Sequence, residues 1–481
     1  MTRFFIGGKS VDGGTGGATR EIRNPANGSV VGTVLEGTAA DVDAAVQSAH
    51  AAFPKWWATP AATRGKILHD AAEAIIEHVD ELARILTSEQ GKPLGEARME
   101  IHRFAHTLEH YAGLAKNLRG GYVPDLDEKP HRHGLILKRP LGVCAAIVPW
   151  NFPVSLMGNK LGPALVTGNT VVVKPAETTP LASTRAIEIL FEAGVPAGVV
   201  NTVFGDGAVV GRALTTHPGV AKIGFTGATE TGRLVMAGAA ATIKRVTLEL
   251  GGSDPMIVAD DADVDRAVSA ASVGRFFNCG QACLAIKRVF LFEKIADEFT
   301  EKLVAKANKL KIGPGLEEGV QLGPLHSAEQ LEKLESQVAD AREKGARVLA
   351  GGERPRGTSF DSGFFHQPTI LVDVDPTSRV ATEEVFGPAL PLFRVKDLDE
   401  AITRANESIY GLGSSIWTRN LAMATEAAER IEAGYTWINS VNKIYDELPF
   451  GGFKQSGIGQ EHGCEALDHY QATKSVVVAA G

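Results

Sequence analysis

Cys283 stands in the run Phe276-Phe277-Asn278-Cys279-Gly280-Gln281-Ala282-Cys283-Leu284-Ala285. A thiolate attacks carbonyl carbon readily, and Gly280 permits a tight turn that could present the side chain to a cleft. Read alone, a cysteine is as readily a buried, inert thiol, which is the reading for Cys144, inside an apolar run, and for Cys464. Glu249 lies at the end of the run 246–250, ahead of Gly251-Gly252. At a C-terminal strand edge a carboxylate could activate water as a general base, or simply be solvated. Asn151, in Pro149-Trp150-Asn151-Phe152-Pro153, follows the run 143–148 in the same way. Its amide could donate to a developing oxyanion, a contact worth about 3 kcal/mol, or cap a turn between prolines. Gly224-Phe225-Thr226-Gly227-Ala228-Thr229-Glu230-Thr231-Gly232 reads as a strand, a glycine turn and a helix start, whose free N–H groups could receive a pyrophosphate. It is not GxGxxG, and a lone glycine turn carries little weight. Lys174-Pro175-Ala176-Glu177 could grip ribose hydroxyls or form an ordinary charged loop.

These residues need a scaffold. Short β-branched runs at 143–148, 170–173, 199–203, 221–225 and 246–250 alternate with helical segments. Continuous apolar strands separated by helices suit a parallel sheet covered on both faces, so a doubly wound α/β unit is predicted. A second α/β unit is predicted from 262 to 440. It has a helix from about Asp263, strands at 288–292, 369–372, 390–395 and 414–417, and helices at 294–310 and 326–345. Before both, Leu68, Ala72, Ile75, Val79, Leu82 and Leu86 mark one stripe of a helix over 64–90, stopped by Gly91 and Pro93. The Gly-, Pro- and charge-rich segment 120–140 reads as an excursion from the main body, and 474–478 as an exposed strand.

Composition bounds the partners. The 481 residues are 44% hydrophobic and 22% charged, normal for a globular protein with a sizeable core. A net charge of -8 offers no basic field for nucleic acid or a membrane surface. No apolar stretch approaches the roughly 18 residues of a membrane span, and residues 1–8 lack a signal-peptide core. Four cysteines are too few for a disulfide framework, so a cytoplasmic setting is expected. His102, His106 and His110 share one helix face at metal-ligand spacing. No carboxylate or cysteine completes the set, so they read as surface or interface histidines and no metal is expected.

In order along the chain, these pieces resemble the aldehyde dehydrogenase family over nearly the whole length. The motifs are Glu89-Gln90-Gly91-Lys92-Pro93-Leu94, Pro149 to Pro153, Lys174 to Glu177, Gly224 to Gly232, Glu249 to Gly252 and the Cys283 run. Glu383-Glu384-Val385-Phe386-Gly387-Pro388 and Pro449-Phe450-Gly451-Gly452-Phe453-Lys454-Gln455-Ser456-Gly457 complete the set. The resemblance implies a Rossmann-like cofactor domain (1–121 and 142–252), an α/β catalytic domain (253–455) and a small β oligomerisation arm (122–141 and 467–481). It implies oxidation of an aldehyde to its acid: Cys283 forms a thiohemiacetal, then a thioester that Glu249 opens by activating water. The Asn151 amide and the Cys283 N–H would form the oxyanion hole, with Lys160 and Glu461 a proton-relaying pair.

By the same resemblance Lys174 and Glu177 would hold the adenosine ribose and Glu384 the nicotinamide ribose. Val148, Pro149, Trp150, Gly207, Gly211, Phe225, Thr226, Gly227, Ala228, Leu250, Gln330 and Phe386 would line the rest of the cofactor path. Glu177 accepts bonds from ribose hydroxyls and repels a 2′-phosphate, so NAD is favoured, with NADP the weaker alternative. Phe152, Ser155, Leu156, Asn159, Phe277, Leu284, Ile444 and Phe450 would line the aldehyde passage. The set is mainly apolar and has no Arg at 159, which points to uncharged aldehydes. Family members often carry Ser where this chain has Ala228, leaving the pyrophosphate to backbone N–H groups. Cys279 is unusual and could pair reversibly with Cys283. The tail is expected to pair with the 123–141 excursion of a neighbouring subunit in a homodimer or homotetramer. The alternatives are a CoA-acylating relative, which commonly lacks the glutamate, and a non-catalytic member of the fold.

Overall fold

The structure, a computed structural model, describes residues 2–11, 17–127 and 132–479. Its first sheet has eight strands in the order Lys9–Val11, Phe4–Ile6, Val200–Thr202, Thr170–Lys174, Val143–Ile147, Val220–Thr226, Arg245–Glu249, Gly457–Ile458. The middle five are parallel. Taken in chain order they run 3-2-1-4-5, the doubly wound arrangement, whose switch point lies between Val143–Ile147 and Val220–Thr226. Val143–Ile147 and Thr170–Lys174, at the centre, are buried on both faces, as their Val, Ile and Ala runs require.

A second sheet of seven strands follows the order Arg347–Ala350, Thr369–Val372, Ala389–Val395, Ile286–Phe292, Asp254–Val258, Gly413–Trp417, Tyr435–Ile438, parallel except at its first strand. It has its own core around Phe290, Phe299, Leu334 and Leu390. The helix Val264–Phe276 starts at Asp263, whose side chain accepts from Arg266 N. Thus the aldehyde dehydrogenase-like arrangement of two α/β units and a small sheet is present.

Three expectations need correction. The stripe over 64–90 is carried by two helices, Ala61–Glu77 and Val79–Gln90. His78 leaves helical geometry at φ −105° and its ring bonds the Ala74 carbonyl, so the chain bends while Leu68, Ile75, Leu82 and Leu86 still face one core. The tail strand Gln471–Ala479 pairs antiparallel with Arg132–Pro140 of its own chain, not a neighbour's. The Asn169 amide holds the Tyr470 carbonyl at 2.9 Å and the N–H groups of Leu141 and Gly142, which delivers residue 471 beside Pro140. Residues 128–131 and 480–481 of that arm lie outside the described residues. Cys464 is exposed rather than buried, because it opens the short turn Glu465–Tyr470 with its side chain towards solvent. Cys144 is buried in its strand.

Candidate active site

The loops that follow strands 143–147, 220–226 and 245–249 leave the same sheet edge, around the switch point. There they meet the Cys283 loop of the second unit and enclose a cavity of about 140 Å³. Pro149, Trp150, Asn151, Thr226, Gly227, Ala228, Leu250, Cys283, Gln330, Glu384 and Phe386 line it, together with Gly251 and Lys333. Lys333 was not foreseen, and Gly251 only as part of the Glu249 to Gly252 motif.

The nucleophile loop is bent by force. Asn278, Cys279 and Gly280 lie in succession at φ +48°, +55° and +74°. Only glycine takes such values freely, and asparagine tolerates them; for Cys279 the cost is about 1–2 kcal/mol. The run persists because it is bonded at each end. Arg275, fully buried, donates to the carbonyls of Gly280, Ile286, Val385 and Gly387. Lys287 donates to the carbonyls of Ala282, at 2.9 Å, and Cys283. A narrow opening leaves Cys283 partly accessible, yet the enclosing protein pushes its thiol up to about 12. The charges of Glu384, Asp254 and Glu249 add to that push and Lys287 opposes it. Cys279 and Cys283 are both free thiols; Cys279 packs into the core of the second unit.

Asn151 is buried, and its Nδ2 donates to the Gln281 carbonyl at 3.0 Å. Its own carbonyl accepts from Asn278 Nδ2 at 2.9 Å and Lys92 Nζ at 2.7 Å. Glu249 is buried with neither carboxylate oxygen hydrogen-bonded. Burial, and next the charge of Glu461, raises its pKa well above the usual range, with Lys160 opposing. Lys160 Nζ reaches Glu461 Oε1 at 2.7 Å and the Thr226 hydroxyl at 2.6 Å, joining that pair to the cofactor-side loop. Asn159 donates to Glu461 Oε2 at 2.9 Å, which ties its amide to that carboxylate.

Lys174, Glu177, Gly207, Gly211, Val148 and Phe225 do not line the cavity. Lys174 and Glu177 meet at 3.3 Å, and a side chain added at Gly211 would touch the lysine stem. Gly207 begins the neighbouring wide turn, where Asp206 accepts from Ala208 N. Val148 and Phe225 are buried behind the loops. The Phe225 ring leaves no room for a Cβ at Gly227, which would lie 2.5 Å away. Ala228 begins the helix Thr229–Ala240 with no side-chain cap, which keeps first-turn N–H groups available to an anion. Glu384 accepts from Gly252 N at 3.0 Å and lies 3.3 Å from Lys287. An uncapped helix start, a glycine turn too tight for a side chain and carboxylates at both ends together suit a dinucleotide.

On the opposite flank Phe152 and Phe277 stack at 5.8 Å. Phe450 joins Leu412, Tyr435 and Trp437 in a cluster against which Cys283, Leu284 and Ile444 pack. Ile444 also lines a groove of about 730 Å³ between the helices Ala61–Glu77 and Leu94–Leu114. Ser155 is buried and Leu156 half-buried in the helix Pro153–Val166. His106 binds Asp446 at the edge of this groove, and half-buried His110 does not join it. Among the described residues, no group of three or more His, Cys, Asp or Glu is arranged to hold a metal.

The profile of the aldehyde dehydrogenase family matches residues 12–476. The chain belongs to that family. Solved aldehyde dehydrogenase structures superpose on it closely. A Burkholderia cenocepacia protein provisionally assigned as an aldehyde dehydrogenase is 43% identical, with a TM-score of 0.97 over 99% of this chain and 97% of its own. An NADP-dependent enzyme of Escherichia coli is 41% identical, at 0.96 over 100% and 98%. Betaine aldehyde dehydrogenase of Staphylococcus aureus, in complex with NAD+, is 37% identical, at 0.96 over 99% and 94%.

Residues to which the sequence reading gave no role also touch this aldehyde dehydrogenase site. Lys287 lies inside an apolar strand, which was the available signal: a lysine is fully buried only when something holds it. Lys92, inside the Glu89 to Leu94 motif, and then Glu96 and Glu100 follow one another at four-residue intervals and are also buried or nearly so.

Proposed function

We propose that this aldehyde dehydrogenase oxidises uncharged aldehydes to carboxylic acids with NAD, through a covalent intermediate on Cys283. The observation that carries this reading is the convergence of Cys283, Asn151, Glu384 and the end of the Glu249 strand on one cavity at the switch point. Cys283 attacks the carbonyl carbon, and the oxygen's developing charge falls to the Asn151 amide and the Cys283 N–H. Bound NAD supplies the acceptor for the aldehyde hydrogen. Glu249 then takes a proton from water as it opens the thioester, and a carboxylate in a dry pocket is a stronger base than one in water. The Lys160–Glu461 pair, whose charges both act on Glu249, would relay that proton onward to solvent, as the family resemblance implies.

Glu384 and Phe386 would hold the nicotinamide half of the cofactor, and Lys174 with Glu177 the adenosine ribose. A carboxylate at 177 disfavours a 2′-phosphate, whereas the similarity to an NADP-dependent enzyme keeps NADP as the second choice. The aromatic flank of Phe152, Phe277 and Phe450 carries the preference for uncharged substrates. The presence of Glu249 favours hydrolysis over transfer to CoA. We expect the protein in the cytoplasm; among the described residues no helix is long and apolar enough to cross a membrane. Among the described residues the outer edge of strand 471–479 has no partner strand, and it is where a second copy would add in a homodimer or homotetramer.

A panel of aldehydes with NAD and with NADP tests the reading. Hexanal and benzaldehyde should exceed succinate semialdehyde in kcat/KM, NAD should exceed NADP, and the product should be the free acid even with CoA present. A preference for the carboxylated aldehyde overturns the substrate class, and acyl-CoA as product overturns the role of Glu249.

A further inference from the structure

The elbow between the helices Val79–Gln90 and Leu94–Leu114 carries four buried charged groups that the reaction scheme does not use. Glu89 accepts from the N–H groups of Leu181 and Ala182, which open the helix after the Lys174–Glu177 loop. Lys92 is fully buried and donates to Glu100 at 2.5 Å and to the Asn151 carbonyl at 2.7 Å. Its ammonium also lies 4.0 Å from the centre of the Phe152 ring. Glu100 accepts from Val154 N and Ser155 N, the first turn after the Asn151 segment. Glu96 reaches into the second α/β unit and accepts from Asn278 N at 2.8 Å, the first residue of the left-handed run before Cys283.

The elbow itself has little freedom. A Cβ at Gly315 or Gly323 would fall 2.3 or 2.4 Å from the carbonyls of Lys92 or Gly91. Gly91, at φ +101°, is packed against Pro25 and Pro324. Ionised or strongly polar groups this deep are expensive unless each has partners, and here their partners are the two loops that meet across the cavity. Burial also pushes the Glu96 carboxyl up to about 8, which its bond to Asn278 N and the charge of Lys92 oppose.

We propose that Lys92 and Glu96 are positioning residues: Lys92 fixes the Asn151 segment and Glu96 fixes the strained backbone that aims Cys283. One rigid elbow thereby sets the distance between oxyanion donor and nucleophile, although these come from different α/β units. The inference rests on the proposed roles of Asn151 and Cys283. It differs from a purely structural role because the two residues control different steps. Lys92 bonds the Asn151 segment directly and reaches the thiol loop only through the Asn151 carbonyl it shares with Asn278, so its loss falls first on the oxyanion side and leaves the thiol close to its native reactivity. Glu96 acts on the thiol loop, so its loss alters Cys283 itself.

The test measures three quantities on the full chain: the NADH burst constant with hexanal and NAD, the rate of Cys283 alkylation by iodoacetamide, and Tm. Lys92→Met should lower the burst constant about tenfold or more while alkylation stays within about twofold, because misplacing a group by 1 Å costs of this order. Lys92→Met with Glu100→Met removes both buried charges; Tm should recover while the burst stays slow. Glu96→Ala should slow both alkylation and burst, and Glu96→Gln, whose amide oxygen still accepts from Asn278 N, should restore both. The proposal is overturned if the double variant regains the full burst with its Tm, if Lys92→Met slows alkylation as much as the burst, or if Glu96→Gln is as slow as Glu96→Ala. Asn151→Ala separates the two levels. A full burst in that variant removes the oxyanion role and the Lys92 inference with it, whereas a slow burst there beside a full one in Lys92→Met removes the Lys92 inference alone.

Discussion

Glu249 and Glu461 are 3% and 4% exposed and lie behind the same cavity, near enough for each to act on the other's charge. Their surroundings nevertheless differ. Glu461 accepts from Lys160 at 2.7 Å and from Asn159 at 2.9 Å, while neither oxygen of Glu249 has a hydrogen-bond partner. Burial pushes both carboxyls upward. At Glu461 the Lys160 ammonium overcomes it and holds the group below the usual carboxylate range; at Glu249 nothing does. Depth alone therefore does not decide whether a buried carboxyl keeps its proton; a charged partner at bonding distance does. The arrangement leaves a charge on Glu461 and a proton on Glu249, so Glu249 must lose that proton before it can take one from water.

The largest expected effect comes from removing the base. Glu249→Gln should cut steady-state turnover about 10³-fold while leaving one NADH burst per site, because the thioester forms and is not hydrolysed. An undiminished steady rate would show that the unpartnered carboxyl is not the base. Lys160→Met should make Glu461 resemble Glu249, at a cost of about 3–5 kcal/mol for the charge left unpaired. The sign of its pH dependence follows. In the native protein the depressed pKa of Glu461 contributes stability above the unfolded value of about 4.3, lost as pH falls through the folded pKa. In the variant the folded pKa is raised, so stability instead declines as pH rises above about 4.3. Between pH 4 and 9, where the native Glu461 contribution is constant, the Tm of the variant should therefore fall more steeply with rising pH than that of the native protein, and parallel profiles would break the comparison.

Cys283 reads the same field. With its thiol pushed up to about 12, alkylation of the free enzyme should climb about tenfold per pH unit from pH 6 to 9. A plateau below pH 8 would mean that local cations outweigh burial. The smallest effect is on stability in Glu249→Gln. A buried carboxyl with a raised pKa weakens the fold as pH rises above about 4.3, so this variant should melt a few degrees (about 2–4) higher than the native protein at pH 8. The gain should vanish near pH 4, and its persistence there would point to packing rather than charge.

Much of the scaffold was legible because parallel strands and helices leave periodic traces. The strands at 143–147, 170–174 and 369–372 follow from unbroken apolar runs, and the helix at Val264–Phe276 from its Asp263 cap. The family motifs placed Cys283, Asn151 and Glu384 on loops that the fold does bring to one cavity. The bend at His78, the exposure of Cys464 and the intrachain partner of the tail were not legible. The tail depends on a contact with a distant segment, Asn169 with Tyr470, whereas the bend at His78 rests on a side-chain bond to Ala74 that periodicity does not register. The bond from Asn159 to Glu461 was hidden for the same reason as the tail's partner: the two residues are 302 positions apart.

By itself, then, the sequence determined which residue types stand at the ends of which strands, because local periodicity and turn chemistry need only neighbouring residues. Only the tertiary structure decided that Glu249 has no bonded partner while Glu461 has two, and that Lys92 and Glu96 hold two loops from different units. Proton affinity and aim are set by what lies within a few ångströms in space, and in this chain those neighbours come from distant parts of the sequence.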